Sequence, residues 1–522
     1  MEQTHLVGVV PIFVNAGTAL LPAILAPLAA VAANILRPRE LTRILRQNPL
    51  VGLVLLVILA GAVWGGIWVF SDNTPRARAK GTDSPRIAKT DWADWAIKRM
   101  KAGATSRPAN SIQVQTHAGP VCFRSNQSRT GCDGSAALLK LQPAWAHNPE
   151  KEAMYLSSPT VYGDKVYAAS CLIDIAGNFG TLYCLDAPTG QELWKTEKFG
   201  DADLKGFFSS PAVTADGKFV VVGQGLHDDK DSFLVCFNAL TGKAHWRVPT
   251  PLHIESSPAI YGDLAVAGAG AIEGPDHKAT SDPGFVLAVR ISDGKLMWRY
   301  AVNDPESSPV FGPDGTVYVG SGFNGEAVVA LRSEPDAKER LIWRTPSPYP
   351  MTGAITLVDD LVIAGGGNCD YVNADPKPAG VVLALDAKTG HKRWEKTMPD
   401  SVLGSIAAIG GKLICPLRNG EVVVLKQADG SVLWKQSVNA DNPVLAGAAV
   451  AGDYIYVVSR DGTLAVLKLS DGSVIEKVFL NDPKNPGKRG LSLSSPTIAN
   501  GLLFVGSETG GIRAFSSGKV GQ

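Results

Sequence analysis

The sequence predicts an all-β fold: an eight-bladed β-propeller of four-stranded antiparallel blades, preceded by one or two N-terminal membrane helices. Three observations favour it. Tryptophans recur at intervals of 40 to 52 residues, short strands rich in small residues recur with the same period, and a long apolar stretch without charges lies near the N-terminus. A four-stranded blade has this length, and about 20 apolar residues are enough to cross a bilayer.

The composition is typical of many short strands joined by tight turns. The 522 residues include 55 glycines and 34 prolines, yet 45% are hydrophobic, which argues against disorder. Because 50 Lys and Arg residues nearly balance 49 Asp and Glu residues, the net charge of +1 predicts no nucleic-acid partner.

The seven cysteines include no CxxC pair and no adjacent pair. A zinc ribbon, a c-type haem and a thioredoxin-like site therefore have no sequence support. Cys122 and Cys132 bracket a short loop and could form a disulfide if the domain is exported, although the odd total leaves at least one free thiol.

A membrane anchor and a tether are predicted ahead of the propeller. Residues 49–70 are predicted as a transmembrane helix, because 50–70 are 21 residues without a charge. Trp64 and Trp68 lie toward one end of it, as interfacial anchors do. Residues 71–118 are predicted as a polar, flexible tether followed by a short helix.

Residues 1–48 comprise a second apolar stretch and a basic loop. Three prolines interrupt the apolar stretch at 6–36, which favours a kinked second span or a re-entrant segment. A cleaved signal peptide fits less well, because no basic residue precedes the stretch. Four arginines at 37–46 assign that loop to the cytoplasm by the positive-inside rule, so the anchored propeller is expected on the extracytoplasmic, periplasmic side.

Seven of the eleven tryptophans mark the outermost strand of a repeated unit. A turn such as CLDAPTGQELW at 184–194 precedes most of them; its glycine allows a positive φ, and its Asp and Thr side chains can bond back to the turn. The unit that ends at residue 343 departs from this pattern, and Ile475 occupies the equivalent position in an eighth unit. The repeat tryptophans are Trp145, Trp194, Trp246, Trp298, Trp343, Trp394 and Trp434.

Each unit opens with a short strand of small residues, such as SSPTV at 157–161, which is predicted to lie innermost around a crowded central channel. The last unit, beginning at Ser494, stops before its outer strand, whereas the first outer strand, around Trp145, has no unit of its own. We therefore predict that the N-terminal strand completes the C-terminal blade, which removes two open sheet edges.

The pattern D-x-x-T-G-x-x-x-W occurs at 186–194 and at 386–394, and a lead-in segment, FRSNQSRTG, occupies 123–131. These features resemble the pyrroloquinoline-quinone (PQQ)-like β-propeller family. The resemblance covers roughly residues 119–517 of a propeller domain assigned to 119–520.

The resemblance implies two kinds of function. Some members of the family are quinoprotein alcohol or sugar dehydrogenases that hold PQQ with calcium in the central funnel. Others bind no cofactor, and the lipoprotein of the outer-membrane β-barrel assembly machinery acts as a docking platform. This chain has no adjacent cysteines, no recognisable calcium-ligand set and compact repeats. We therefore expect no cofactor and no enzymatic activity, with PQQ and calcium as the alternative.

Long loops are predicted to gather on one face of the ring, because loops that enter first strands and loops between second and third strands emerge together. They occur at 171–180, 225–231, 270–284 and 366–380. The candidate ligand- or partner-binding residues on this face are His227, Asp228, His253, Glu255, His277, Cys369 and Asp370.

Histidine with carboxylate could bind a metal or act as an acid–base pair. The favoured interpretation of these residues is nevertheless solvated polar loop positions, with no metal site and no catalytic residue assigned. Cys369 is favoured as a structural cysteine over a reactive thiol.

The favoured function is a membrane-tethered, non-catalytic binding or assembly scaffold that presents the loop-rich face to a protein or an envelope polymer. A dehydrogenase of alcohols or sugars that uses PQQ and calcium is the second hypothesis. A metal-dependent enzyme at His227 and His253 is the third, and the oligomeric state is left open.

Overall fold

The computed structural model describes residues 121–518, except 122, 133, 151, 176, 228, 271–282, 441 and 482–491. These residues belong to the second of two units into which the chain divides, Arg107–Gln522. The segments predicted as 1–48, 49–70 and 71–118 lie outside the described residues and stay predictions, as does the pairing of Cys122 with Cys132. Within the described part, no helix has both the length and the apolar character that a membrane span requires.

The described residues form 34 β-strands, and all but one short hairpin are arranged in eight antiparallel sheets of four strands. The first nineteen are β1 (Leu141–His147), β2 (Thr160–Tyr162), β3 (Lys165–Asp174), β4 (Gly177–Asp186), β5 (Glu192–Thr196), β6 (Lys198–Phe199), β7 (Ala202–Asp203), β8 (Ala212–Val213), β9 (Phe219–Gly223), β10 (Lys230–Asn238), β11 (Ala244–Leu252), β12 (Ala259–Tyr261), β13 (Leu264–Ala269), β14 (Phe285–Arg290), β15 (Leu296–Ala301), β16 (Val310–Phe311), β17 (Val317–Ser321), β18 (Ala327–Leu331) and β19 (Leu341–Pro346). The remaining fifteen are β20 (Thr356–Val358), β21 (Leu361–Gly367), β22 (Gly380–Asp386), β23 (Lys392–Met398), β24 (Ala407–Ile409), β25 (Lys412–Pro416), β26 (Glu421–Lys426), β27 (Val432–Ser437), β28 (Ala449–Ala451), β29 (Tyr454–Val458), β30 (Thr463–Lys468), β31 (Val474–Phe479), β32 (Thr497–Ala499), β33 (Leu502–Ser507) and β34 (Gly511–Ser517).

The eight sheets are the blades of a propeller, numbered here in chain order. Blades 1 to 7 are β2–β5, β8–β11, β12–β15, β16–β19, β20–β23, β24–β27 and β28–β31, and the strands of blade 8 lie in the order β32-β33-β34-β1. The strands β6 and β7 form the separate short hairpin. The predicted all-β, eight-bladed architecture is thus confirmed.

Blade 8 is completed by the N-terminal strand, as predicted. β1 pairs antiparallel with β34, with Leu141 opposite Ser517 and Trp145 opposite Ala514. The two ends of the propeller therefore share one sheet, so neither terminal strand leaves an unpaired edge inside the ring.

The hydrophobic core is divided among the spaces between neighbouring blades. One apolar cluster joins Ala212 and Val221 of blade 2 to Ile260 and Leu287 of blade 3. Because both faces of a blade pack against a neighbour, β17 is buried along its whole length, whereas β31 at the rim alternates between half-buried and exposed residues. The inner strands therefore need small and β-branched residues on both faces.

Each repeat tryptophan joins its own blade to the turn of the next blade. The Nε1 of Trp343 donates a hydrogen bond to the carbonyl of Ala387 at 3.0 Å. Its ring covers Gly390, where φ is +72° and a Cβ would lie 2.5 Å from Trp343 Cδ2, so glycine suits both the conformation and the space. Equivalent donor contacts, at 2.5 to 3.1 Å, are made by Trp145, Trp194, Trp246, Trp298, Trp394 and Trp434.

The two departures from this repeat have structural reasons. The turn of blade 4 lacks glycine, and Arg340 instead lies 4.5 Å from the ring centroid of Trp298 in a cation–π contact. Ile475 replaces tryptophan in blade 7, whose neighbour is blade 8. Since β34 and β1 come from opposite ends of the propeller, no turn connects them, and an indole at position 475 would lack the partner that the other seven have.

Serines at the start of the inner strands link neighbouring blades. The backbone N–H of Ser210 donates to Ser257 Oγ at 2.9 Å, and the N–H of Ser257 donates to Ser308 Oγ at 2.9 Å. The same bond closes the ring between blades 8 and 1, where the N–H of Ser495 donates to Ser158 Oγ at 2.8 Å. A short hydroxyl side chain fits this crowded position, which explains the repeated SSP motif.

The lead-in segment, residues 123–131, bonds to the inner strands of blades 5 to 7, which lack the SSP motif. Their inner strands begin with GAITL, GSIAA and AGAAV instead of SSP. One backbone N–H of each blade donates to a carbonyl of the segment: Leu357 to Ser128, Ala408 to Thr130 and Val450 to Gly131.

Two buried arginines of the lead-in segment extend this contact across the channel. Arg129 is fully buried, and its guanidinium donates to the carbonyls of Pro309 at 2.8 Å and Ser257 at 2.9 Å, in blades 4 and 3. Arg124 donates to the carbonyl of Ala448 in blade 7. Burial, together with the nearby charge of Arg129, lowers the pKa of Arg124 to about 9. The segment therefore bonds to both sides of the ring.

Candidate functional site

The long loops emerge on one face of the ring, hereafter the loop face. His227 of the β9–β10 loop lies beside His253 of the β11–β12 loop, with ring centroids 5.2 Å apart. Arg418 of the β25–β26 loop donates from Nε to the carbonyl of Asp370, in the β21–β22 loop, at 2.9 Å. Loops of the two predicted kinds thus meet at the mouth of the central channel.

Two of the predicted histidines meet on one carboxylate oxygen. His227 Nδ1 lies 3.1 Å from Glu306 Oε1, and His253 Nε2 lies 2.8 Å from the same atom. The His253 side chain is fully buried, whereas that of His227 is 42% exposed. Glu306, in the β15–β16 loop, therefore draws together residues of blades 2, 3 and 4.

A second carboxylate, that of Glu255, is buried beside this group. Burial and the neighbouring charge of Glu306 raise the pKa of Glu255 to about 7. Burial also opposes ionisation of Glu306, but the contacts with His227 and His253 outweigh it and hold the pKa of Glu306 below its usual value. The channel mouth thus contains the ionised carboxylate of Glu306 and the carboxyl group of Glu255, which is partly protonated at physiological pH.

Tyr371 completes what we term the channel-mouth cluster, with His227, His253, Glu255 and Glu306. Its hydroxyl donates to the carbonyl of Leu403, in blade 6, at 3.4 Å. Burial, followed by the charges of Glu306 and Glu255, raises the pKa of Tyr371 above its usual value. The β21–β22 loop therefore carries a neutral phenol toward the carboxylates of blades 3 and 4.

The two predicted residues of the β21–β22 loop, Cys369 and Asp370, stabilise the loop itself. Cys369 is buried, its Sγ accepts a hydrogen bond from the N–H of Asp375 at 3.3 Å, and burial raises the pKa of its thiol. A raised pKa disfavours the reactive thiolate. Asp370 accepts a hydrogen bond from the N–H of Val372 at 2.6 Å, as in an Asx turn.

The sequence prediction and the channel-mouth cluster overlap only in part. His227, His253 and Glu255 come together, whereas Asp228 and His277 lie outside the described residues. Glu306 and Tyr371 were missed. A signal for Glu306 exists, because the four-residue motif ESSP occurs at 255–258 and again at 306–309, which places two glutamates at the same height in adjacent blades.

The chain was compared with known protein families and structures. The sequence model of the family described as outer membrane protein assembly factor BamB matches residues 142–364, 282–444 and 418–521. The protein of that name from Burkholderia pseudomallei is 28% identical over 276 residues, which are 50% of this chain and 60% of the relative. The glycerol dehydrogenase large subunit of Gluconobacter oxydans is 24% identical over 325 residues, which are 52% of this chain and 38% of the relative.

A solved structure gives the same picture at the level of the fold. The crystal structure of BamB from Moraxella catarrhalis matches with a TM-score of 0.52 at 17% identity and covers 72% of this chain and 99% of that chain. The matched part of this chain spans less than two thirds of the length of either relative in sequence. The family match, in contrast, extends over nearly the whole propeller, and the chain therefore belongs to this family of PQQ-like β-propellers.

Proposed function

We propose that this chain is a non-catalytic binding or assembly scaffold, tethered to a membrane through residues 49–70, whose loop face binds a protein outside the cytoplasm. The observation that carries the proposal is the match of a family described as an outer membrane protein assembly factor from residue 142 to residue 521. An envelope polymer is the second kind of partner that such a face could bind.

Exposed aliphatic side chains support the assignment of binding to the loop face. The hairpin of β3 and β4 has two ten-residue strands, and near its tip Ile173 is 41% exposed and Ile175 is fully exposed. Val372, in the β21–β22 loop, is 55% exposed. Aliphatic side chains exposed side by side among polar loops can form the apolar centre of a protein-binding surface.

The residues at the channel mouth fit PQQ poorly, which supports a non-catalytic role. PQQ is a flat anion, so its site needs an open slot and positive charge, which comes from basic side chains or from the accompanying calcium. The channel-mouth cluster instead contains the carboxylates of Glu255 and Glu306, and the hydroxyl of Tyr371 bonds to Leu403 ahead of the inner strand of blade 6. A basic side chain at the mouth, that of Arg418, already donates to the carbonyl of Asp370. The buried arginines, Arg124 and Arg129, are bonded to inner-strand carbonyls.

A quinone-dependent dehydrogenase of alcohols or sugars is the second candidate, because quinoprotein dehydrogenases are among the relatives. The full-length chain, purified in detergent and incubated with PQQ and calcium, separates the two candidates. We expect no quinone absorbance after desalting and no reduction of an electron-accepting dye by alcohols or sugars. If quinone is retained and the dye is reduced in the presence of substrate, the scaffold proposal is contradicted and the dehydrogenase is supported.

The scaffold itself is tested with a double variant, Ile173→Asp with Ile175→Asp. Both side chains are exposed, so we expect an unchanged melting temperature. Affinity capture from envelope extracts should lose at least one protein partner relative to the wild type. A control with Leu240→Asp, exposed in the β10–β11 turn, should keep that partner.

A further inference from the structure

Three metal-ligating side chains converge at the channel mouth. The Nδ1 of His227, the Nε2 of His253 and a carboxylate oxygen of Glu306 all lie within 4.8 Å of one another. In the part of the chain that the structure describes, this is the one group of three such side chains close enough to share an ion. The three belong to separate loops, and the packing of consecutive blades brings them together.

The channel-mouth cluster also contains two neighbouring carboxyl groups and buried polar atoms that accept or donate no hydrogen bond within the described residues. Glu255 Oε1 is buried and has no hydrogen-bond partner among the described residues, and His253 Nδ1 is in the same situation. Two neighbouring buried carboxylates are costly unless a positive charge lies between or beside them. A bound divalent cation would supply such a charge.

We infer that His227, His253 and Glu306 bind a divalent transition-metal ion of the zinc class at the channel mouth, with Glu255 as an adjacent carboxylate whose charge the ion offsets. Two imidazole nitrogens and one carboxylate oxygen form a donor set that suits zinc. Calcium and magnesium take oxygen ligands almost exclusively, so they suit this set less well.

The geometry requires only small side-chain movements. Zinc–ligand distances of about 2.1 Å give separations of about 3.4 Å between ligands in a tetrahedral site. Glu306 Oε1 lies 2.8 Å from His253 Nε2 and 3.1 Å from His227 Nδ1. Because the His227 side chain is 42% exposed, an outward rotation of its ring would make room for the ion. Water would complete the coordination shell.

An ion at this position would tie together three loops of the loop face. His227 precedes β10, His253 precedes β12 and Glu306 precedes β16, so one ion would link blades 2, 3 and 4 at the channel mouth. The site does not depend on the scaffold proposal, because metal binding is measured on the purified chain without any partner.

Zinc stoichiometry and affinity test the inference. The full-length chain, without a histidine tag and in detergent, is stripped with EDTA and titrated with zinc chloride by calorimetry; metal retained after dialysis is counted by mass spectrometry. We expect about one zinc ion per chain. Glu306→Gln should weaken binding by more than about 100-fold, since loss of even an outer-shell partner costs about 10- to 100-fold.

Two further variants keep the test decisive. His227→Gln replaces a half-exposed side chain and should fold even if Glu306→Gln does not, with a similar loss of affinity. His147→Gln is the matched control, because His147 Nε2 also faces a glutamate, Glu192, at 3.6 Å, but outside the channel-mouth cluster; it should bind zinc like the wild type. A wild-type chain that retains no zinc would overturn the inference, and so would variants at 306 and 227 that bind zinc as tightly as the wild type.

Discussion

Blades 8 and 1 to 4 differ from blades 5 to 7 in what joins their inner strands around the channel. In the first arc the bond lies within the repeat, where a backbone N–H donates to the serine of the next blade, as from Ser210 to Ser257. In the second arc the SSP motif is absent, and carbonyls of the lead-in segment at 123–131 accept N–H groups that lie three residues further along the inner strands, as from Leu357 to Ser128. The arc whose inner strands lack the SSP motif is therefore the arc whose inner-strand N–H groups bond to the lead-in segment.

At the rim of the ring, one repeat also departs from the pattern of the others. The indole of Trp343 is matched by a glycine turn in the next blade, whereas Ile475 faces a blade whose outer strand arrives from the other end of the propeller. The differences between arcs and between repeats thus predict where substitutions will be damaging and where they will be tolerated.

The largest effect is expected from deletion of β1, residues 141–147. Without this strand, β34 has an open edge and blade 8 loses Trp145, so we expect aggregation and loss of a cooperative thermal transition. Deletion of 198–203, the short hairpin outside the blades, is the control and should leave a folded monomer. Size-exclusion chromatography and thermal circular dichroism measure both, and an unchanged melting temperature after the first deletion would refute the closure of the ring.

Truncation of a repeat tryptophan is expected to have the next largest effect. Trp343→Ala should lower the free energy of unfolding by about 3–5 kcal/mol, as truncations of large buried aromatics do. Ile475→Ala, at the equivalent position without a partner turn and 44% exposed, should cost less than about 1 kcal/mol. Chemical denaturation measures both losses of stability. Equal losses would contradict the view that position 475 has no partner turn in blade 8.

Loss of the arginine that crosses the channel should be smaller but clear. Arg129→Met removes hydrogen bonds to the carbonyls of Pro309 and Ser257 and should cost about 2–3 kcal/mol. Arg393→Met, at an exposed ion pair with Asp386, should cost less than about 1 kcal/mol. An Arg129 variant as stable as the wild type would show that the lead-in segment does not hold the two arcs together.

The smallest effect in this series is expected from a single serine of the first arc. Ser257→Ala removes the acceptor for the N–H of Ser210 and should cost about 1 kcal/mol. The denaturation midpoints of the Ser257 and Arg129 variants would rank the serine bond and the arginine contacts by their contribution to stability. A larger loss for the serine than for the arginine would reverse the comparison between the arcs.

The fold was predictable because each repeat carries the same sequence pattern. Tryptophan, turn glycine and small inner residues recur with one period, and the surplus strand around Trp145 matched the strand missing after β34. The channel-mouth cluster was predictable only in part, since Glu306 meets the histidines from a neighbouring blade and Tyr371 belongs to a loop of blade 5. Such proximity depends on blade packing and loop paths, which residue spacing does not encode, although the second ESSP motif gave a local hint for Glu306.

Site-specific photo-crosslinking from the full-length chain in its native host tests most directly whether the loop face binds a protein. Photoreactive residues at positions 175 and 372 probe the loop face. One at position 261, the last residue of β12 beside the β12–β13 turn on the opposite face, is the control, because Tyr261 is 37% exposed there. We expect a discrete protein adduct from 175 and 372 and none from 261. Adducts from 261 alone, or none from the loop face, would contradict the scaffold.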